Sequence, residues 1–82
     1  MPRYYFDLRD NDELAVDDEG LELFTLQAVQ IEAARSLVDM ARQLIWTKAE
    51  TVMGHRMAIE VRDEHGPVLQ AKFEFAPERN KQ

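Results

Sequence analysis

Two rhythms of apolar and polar residues divide this chain. From Arg3 to Arg9 the positions alternate, with Tyr4, Phe6 and Leu8 on one side and Arg3, Tyr5, Asp7 and Arg9 on the other. A period of two with this many aromatics predicts a half-buried strand. Asp10-Asn11-Asp12 is turn chemistry, because short polar side chains bond nearby backbone and tolerate unusual dihedrals. A short return strand around Glu13 to Val16 would complete a hairpin. Asp17-Asp18-Glu19-Gly20 predicts a second turn, with Gly20 free to adopt a positive φ. Leu21 and Leu23 flank Glu22 in a further extended stretch.

From Leu26 the rhythm is helical. Leu26, Val29, Ala33, Leu37, Met40 and Leu44 recur at steps of three and four, the stripe that packs on a sheet. Thr25 is placed to cap this helix, with Phe24 and Val29 at the spacing of a hydrophobic staple. Ile31, Val38 and Ile45, spaced by seven, make a second stripe roughly 120° round from the first. The helix therefore has more apolar surface than one sheet needs. Residues 26 to about 47 span roughly 33 Å, whereas strands of seven residues span only about 23 Å, so the helix should overhang its sheet. Its end lies between Trp46 and Gly54, and Trp46 is either exposed or part of a helix end that folds back.

Alternation then returns. In His55-Arg56-Met57-Ala58-Ile59-Glu60-Val61-Arg62, Met57, Ile59 and Val61 point inward. Asp63-Glu64-His65-Gly66 is a hairpin loop, and the return strand points Leu69, Ala71, Phe73 and Phe75 inward after Pro67 at its start, where a strand tolerates proline. Residues 77–82 read as a flexible C-terminal tail. Together these elements predict an α+β domain over residues 1–76, of order β-β-α-β-β. A three- or four-stranded antiparallel sheet would carry one long helix on one face.

Composition narrows what such a domain can do. At 82 residues it buries only about 60% of its unfolded surface, and small scaffolds of that kind rely on disulfides, metals or oligomerisation. There is no Cys, which removes disulfides, thiolate zinc sites and cysteine nucleophiles. Oligomerisation is the device left. No apolar run approaches the roughly 18 residues of a membrane span, and the start of the chain lacks a signal-peptide pattern, so a soluble, cytoplasmic protein is the expectation.

The net charge is −6, and all of it sits in residues 1–24, where eight acids face Arg3 and Arg9. A nucleic-acid partner is not expected from this balance. Asp10, Asp12, Glu13, Asp17, Asp18 and Glu19 form either a solvated acidic loop or a docking face for a basic protein.

Candidate chemistry is sparse. Counted from Asp10, an EF-hand calcium loop fails at Leu14 and Ala15, where a ligand and a glycine are required. His55 and His65 occupy positions ordinary for solvent-exposed residues. Ser36, the only serine, has no local activating base. No catalytic, cofactor-binding or metal residue emerges, and an enzyme is not expected.

The opening Met1-Pro2-Arg3-Tyr4-Tyr5-Phe6-Asp7-Leu8, the acidic Asp17-Asp18-Glu19-Gly20-Leu21-Glu22-Leu23 segment and the Ala-rich helix resemble a family of short bacterial proteins carrying a domain-of-unknown-function label. The closing Asp63-Glu64-His65-Gly66 hairpin fits that pattern. Phe24-Thr25 departs from it, since many members have Pro-Asp there. The resemblance implies no catalytic residues. The order of strand, acidic turn, strand and Leu- and Ala-rich helix also looks like HicB-type antitoxins, although a further strand before the helix and a DNA-binding segment are not evident.

Two functions follow as expectations. One is a non-enzymatic protein–protein interaction module, homodimeric through Ile31, Val38, Ile45 and Trp46. The other is an acidic adaptor or antitoxin-like protein that binds a basic partner through residues 10–22.

Overall fold

The computed structural model describes residues 2–47 and 54–76, the side chains of Ile45 and Thr47 excepted. Residues 48–53, in which the sequence leaves the helix end open, and the expected tail 77–82 lie outside them.

Strand β1 (Arg3–Asp10) is followed by the short β2 (Glu13–Ala15) and β3 (Leu21–Glu22), helix α1 (Leu26–Thr47), and the hairpin β4 (Arg56–Asp63) and β5 (Gly66–Glu74). All strands join one antiparallel sheet in the order β2-β1-β4-β5, with β3 also on β1. The expected α+β architecture is present, but with five strands rather than three or four. The extra count arises because β2 and β3 share one edge of β1. Leu8, Arg9 and Asp10 pair with β2, and Arg3 and Tyr4 pair with β3.

Register carries the side chains into rows. Phe6 faces Val61, which faces Leu69; Leu8 faces Ile59, which faces Ala71. These rows line the helix side of the sheet. Val29, Ala33, Leu37, Ala41 and Leu44 of α1 close over Met57, Ile59 and Val61 to form the buried core. The helix lies over β4 and β5. Val29 and Ile59 are wholly buried, each worth about 1.5–3 kcal/mol of apolar transfer relative to exposure.

Two details of the helix start differ from expectation. Thr25 caps as predicted, its Oγ1 accepting from the Ala28 N–H at 3.0 Å. Phe24, however, is 80% exposed, so it makes no staple with the buried Val29. Leu26 does not join the core stripe either: it is more than half exposed, and Ala41 takes a core place instead. The first turn therefore contributes its cap rather than a side chain to the core.

Candidate functional site

Charged side chains concentrate on the sheet face opposite the helix. The alternation of β1 puts Tyr5, Asp7 and Arg9 there, and the register places them opposite Arg62, Glu60 and Ala58. Diagonal ion pairs result: Arg9 Nε lies 2.6 Å from Glu60 Oε2, and Arg62 Nε lies 2.9 Å from Asp7 Oδ2. The Arg62 guanidinium also sits 4.6 Å from the centre of the Tyr5 ring, within cation–π range. Asp7 is buried. A buried carboxylate is tolerated when it is paired and hydrogen-bonded, and here Arg62 and the Asp17 N–H supply both. Hydrogen bonding to Asp7, followed by its charge, holds the Arg62 guanidinium above its ordinary value against the desolvation that lowers it.

Asp17 closes a gap in the sheet. The backbone of β1 pairs with β3 at Tyr4 and with β2 at Leu8, which leaves Phe6 between them without a strand partner on that side. Asp17 Oδ2 accepts the Phe6 N–H at 3.1 Å, and Oδ1 accepts from the Glu19 and Gly20 N–H groups. Burial, the largest single influence on Asp17, pushes its carboxyl upward. The three N–H donors and the charge of Arg62 together outweigh it and hold the carboxyl below the usual range. Gly20 has φ +76°, and a Cβ there would fall 2.8 Å from Arg3 Cγ and 2.9 Å from Tyr5 Cε2. The acidic turn is thus a plug in the sheet edge.

This changes the picture of the acidic segment. Asp10, Asp12, Glu13, Asp18 and Glu19 are exposed, but Asp17 is partly buried and spent on backbone donors. Asp10 pairs with His55. The expected solvent exposure of His55 is corrected by that contact, since its side chain is only 13% accessible. His65 is exposed as expected. The Asp10-Asn11-Asp12 turn adds a second clamp: Asn11, at φ 55°, donates its N–H to the Arg56 carbonyl and accepts the Arg56 N–H on Oδ1.

A concave surface also lies on the helix side of the sheet. A groove of about 740 Å³ runs between the C-terminal half of α1 and the β1–β2 hairpin. Leu8, Met40, Leu44 and Met57 line it, with Asp10 and Glu13 among its carboxylates. Among the described residues no group of three or more His, Asp or Glu side chains is arranged to hold a metal ion. No helix among them is long and apolar enough to cross a membrane.

Residues 3–74 match the family described as Domain of unknown function (DUF6894). The chain belongs to the DUF6894 family. The matched stretch begins at the first residue of β1 and ends at the last residue of β5, so the whole sheet and helix belong to the DUF6894 domain. The expected family label is met. No curated protein and no solved structure matches the chain.

The outer surface of the DUF6894 helix exposes apolar side chains. Ile31 and Val38 are each 55% exposed and Trp46 is 82% exposed. Phe24 and Leu26 add to the exposed apolar surface at the helix start. Trp46 stays within α1 and stands about 80° further round the helix than Val38, so it borders the stripe rather than continuing it. The side chain of Ile45, the remaining member expected in the stripe, lies outside the described residues. No local motif in the sequence marks Asp7, Arg62 and Tyr5 as a cluster. The available signal was opposite charge on the same face of two strands predicted to share a sheet.

Proposed function

We propose that this DUF6894 domain is a non-enzymatic protein–protein interaction module that forms a homodimer through the outer face of α1. The observation that carries the proposal is the exposure of Ile31 and Val38 on a helix whose opposite face is fully used by the core. Apolar side chains scattered singly are normal on a surface. A row of them at helical spacing, in a chain of 82 residues without disulfides, fits a surface that is covered by a partner. A two-fold interface of this kind is self-complementary, since each copy offers the same patch.

The test is absolute molar mass by light scattering behind a sizing column, at low and high protein concentration. The wild type is expected at twice its chain mass of 9.6 kDa. Val38→Glu, which places a charge in the middle of the stripe, is expected to run as a folded monomer. A Val38→Glu protein that stays dimeric would remove the stripe from the interface.

The acidic-partner alternative draws less support, because Asp17 and Asp10 already have partners within the fold. Its discriminating property is a complex that weakens steeply as salt is raised.

A further inference from the structure

We infer that the dimer is built by edge-to-edge pairing of β5 with β5 of a second copy, which makes one continuous sheet with the two α1 helices side by side upon it. The inference rests on the self-association proposed above and specifies its geometry.

Among the described residues the outer edge of β5 is open. The strand ends the sheet, and among the described residues nothing bonds to its outer backbone groups. Which groups these are follows from the pairing on the other side. Phe75 donates its N–H to the His55 carbonyl at 3.1 Å and accepts from the Gly54 N–H, so it aims both backbone groups at the β4 side. Residues alternate in this respect along a strand, and the β4–β5 register is regular from Leu69 to Glu74. Gln70, Lys72 and Glu74 therefore present their N–H and C=O groups outward. A free edge of this length is a template for another strand, and Pro67, the one residue of β5 that lacks an N–H, stands at its far end.

The exposed helix stripe is on the same side. Met40 and Gln43 line the groove against β1 and β2, which orients α1. Val38 stands about 160° and Ile31 about 180° round the helix from Met40. Both therefore turn to the opposite flank, the side on which β5 ends the sheet. The helix lies over β4 and β5. Neighbouring strands are about 4.8 Å apart, so repeating that arrangement across a β5–β5 junction sets the two helix axes about 10 Å apart. Packed helices lie about 8–10 Å apart. Exposed Ala34, on the same flank as Val38, leaves room for the approach.

Area and charge favour a second copy as the occupant. Ile31 and Val38 alone would contribute on the order of 100 Å² each, well short of the roughly 800 Å² that each partner gives to a stable interface. The strand edge adds backbone and the half-buried row of Leu69, Ala71 and Phe73. Lys72 and Glu74 are both exposed, and neither joins an ion pair among the described residues. An antiparallel pairing with its two-fold axis at Phe73 sets Lys72 against the partner's Glu74 and Glu74 against the partner's Lys72. The edge is self-complementary in that register.

The experiment combines three variants with amide exchange on the wild type. Lys72→Glu and Glu74→Lys are each expected to raise the dimer Kd about tenfold at low salt, since each replaces two attractive contacts with two repulsive ones. The double variant Lys72→Glu/Glu74→Lys is expected to return within about threefold of wild type. In wild-type protein the amides of Gln70, Lys72 and Glu74 are expected to be protected at high concentration and to exchange freely on dilution, a readout that needs no variant to fold. A wild type monomeric at every concentration overturns self-association and edge pairing together. A dimer that Val38→Glu dissociates, but in which the single charge variants match wild type and the three amides exchange freely, overturns edge pairing alone.

Discussion

The two edges of this sheet are treated in opposite ways. On the β1 side, strands of three and two residues share the edge, and the Asp17 carboxylate fills the space between them. Arg3 tightens the same border by donating to the Glu19 carbonyl at 2.8 Å and to Glu22. On the β5 side, the strand is nine residues long, and past the register shift near Val68 alternate backbone groups from Leu69 to Glu74 face outward. Short strands, inward-pointing charges and side-chain plugs are how sheets avoid unwanted pairing. The contrast within one sheet shows that closing an edge takes specific residues, and that along Leu69 to Glu74 β5 carries only the opposite charges of Lys72 and Glu74, which deter pairing with other strands less where they can meet each other across a two-fold axis.

The largest expected effect comes from removing what both edges lean on. Ile59→Ala, at a wholly buried position in β4 between Leu8 and Ala71, should cost about 2–5 kcal/mol. Urea unfolding would read the loss, and in so small a domain it should leave much of the protein unfolded. A cost below 1 kcal/mol would mean the core is not centred there. Gly20→Ala attacks the plugged edge alone. The positive φ and the contacts with Arg3 and Tyr5 should cost about 1–3 kcal/mol, with faster amide exchange in β2 and β3 while β4 and β5 keep their protection.

Asp17→Ala sharpens the same contrast with a smaller loss of about 1–2 kcal/mol, because the site is partly open to water that can replace the lost acceptor. The specific signature is rapid exchange of the Phe6 amide. Equal loosening of both edges would show that the plug is not local. Acid gives the smallest effect. The folded carboxyl of Asp17 is held below its ordinary value of 3.8, so its contribution is complete above that value and is lost as pH falls through the lower folded one. Asp17→Asn should flatten that part of the stability–pH curve.

Much of the fold is legible from local pattern. The start of α1, the Thr25 cap, the inward rows of β4 and β5 and the turn at Gly20 all follow from periodicity and turn chemistry, because each depends on neighbours in sequence. Leu26 fits the helical pattern equally well, yet it is more than half exposed, because periodicity marks a face of the helix and not how far the sheet extends under it. The polar cluster is less legible still. Asp7 and Arg62 sit 55 positions apart, and only the β1–β4 register makes them partners. The stripe of Ile31 and Val38 is visible in the sequence, but the side of the sheet it faces is not, because that depends on which strands α1 covers.

The position of β1 has a consequence for how the molecule is made. It precedes the helix, yet it sits inside the sheet and pairs on one edge with residues 57–62. Its partners β2 and β3 follow at once, but the strand on its other edge, β4, does not exist until the helix has been translated. Contacts that distant slow folding, because loop closure must come before any gain from pairing. During that interval the Tyr4, Phe6 and Leu8 side chains wait without cover, and the nascent chain is at its most vulnerable to chaperones, proteases and its own neighbours.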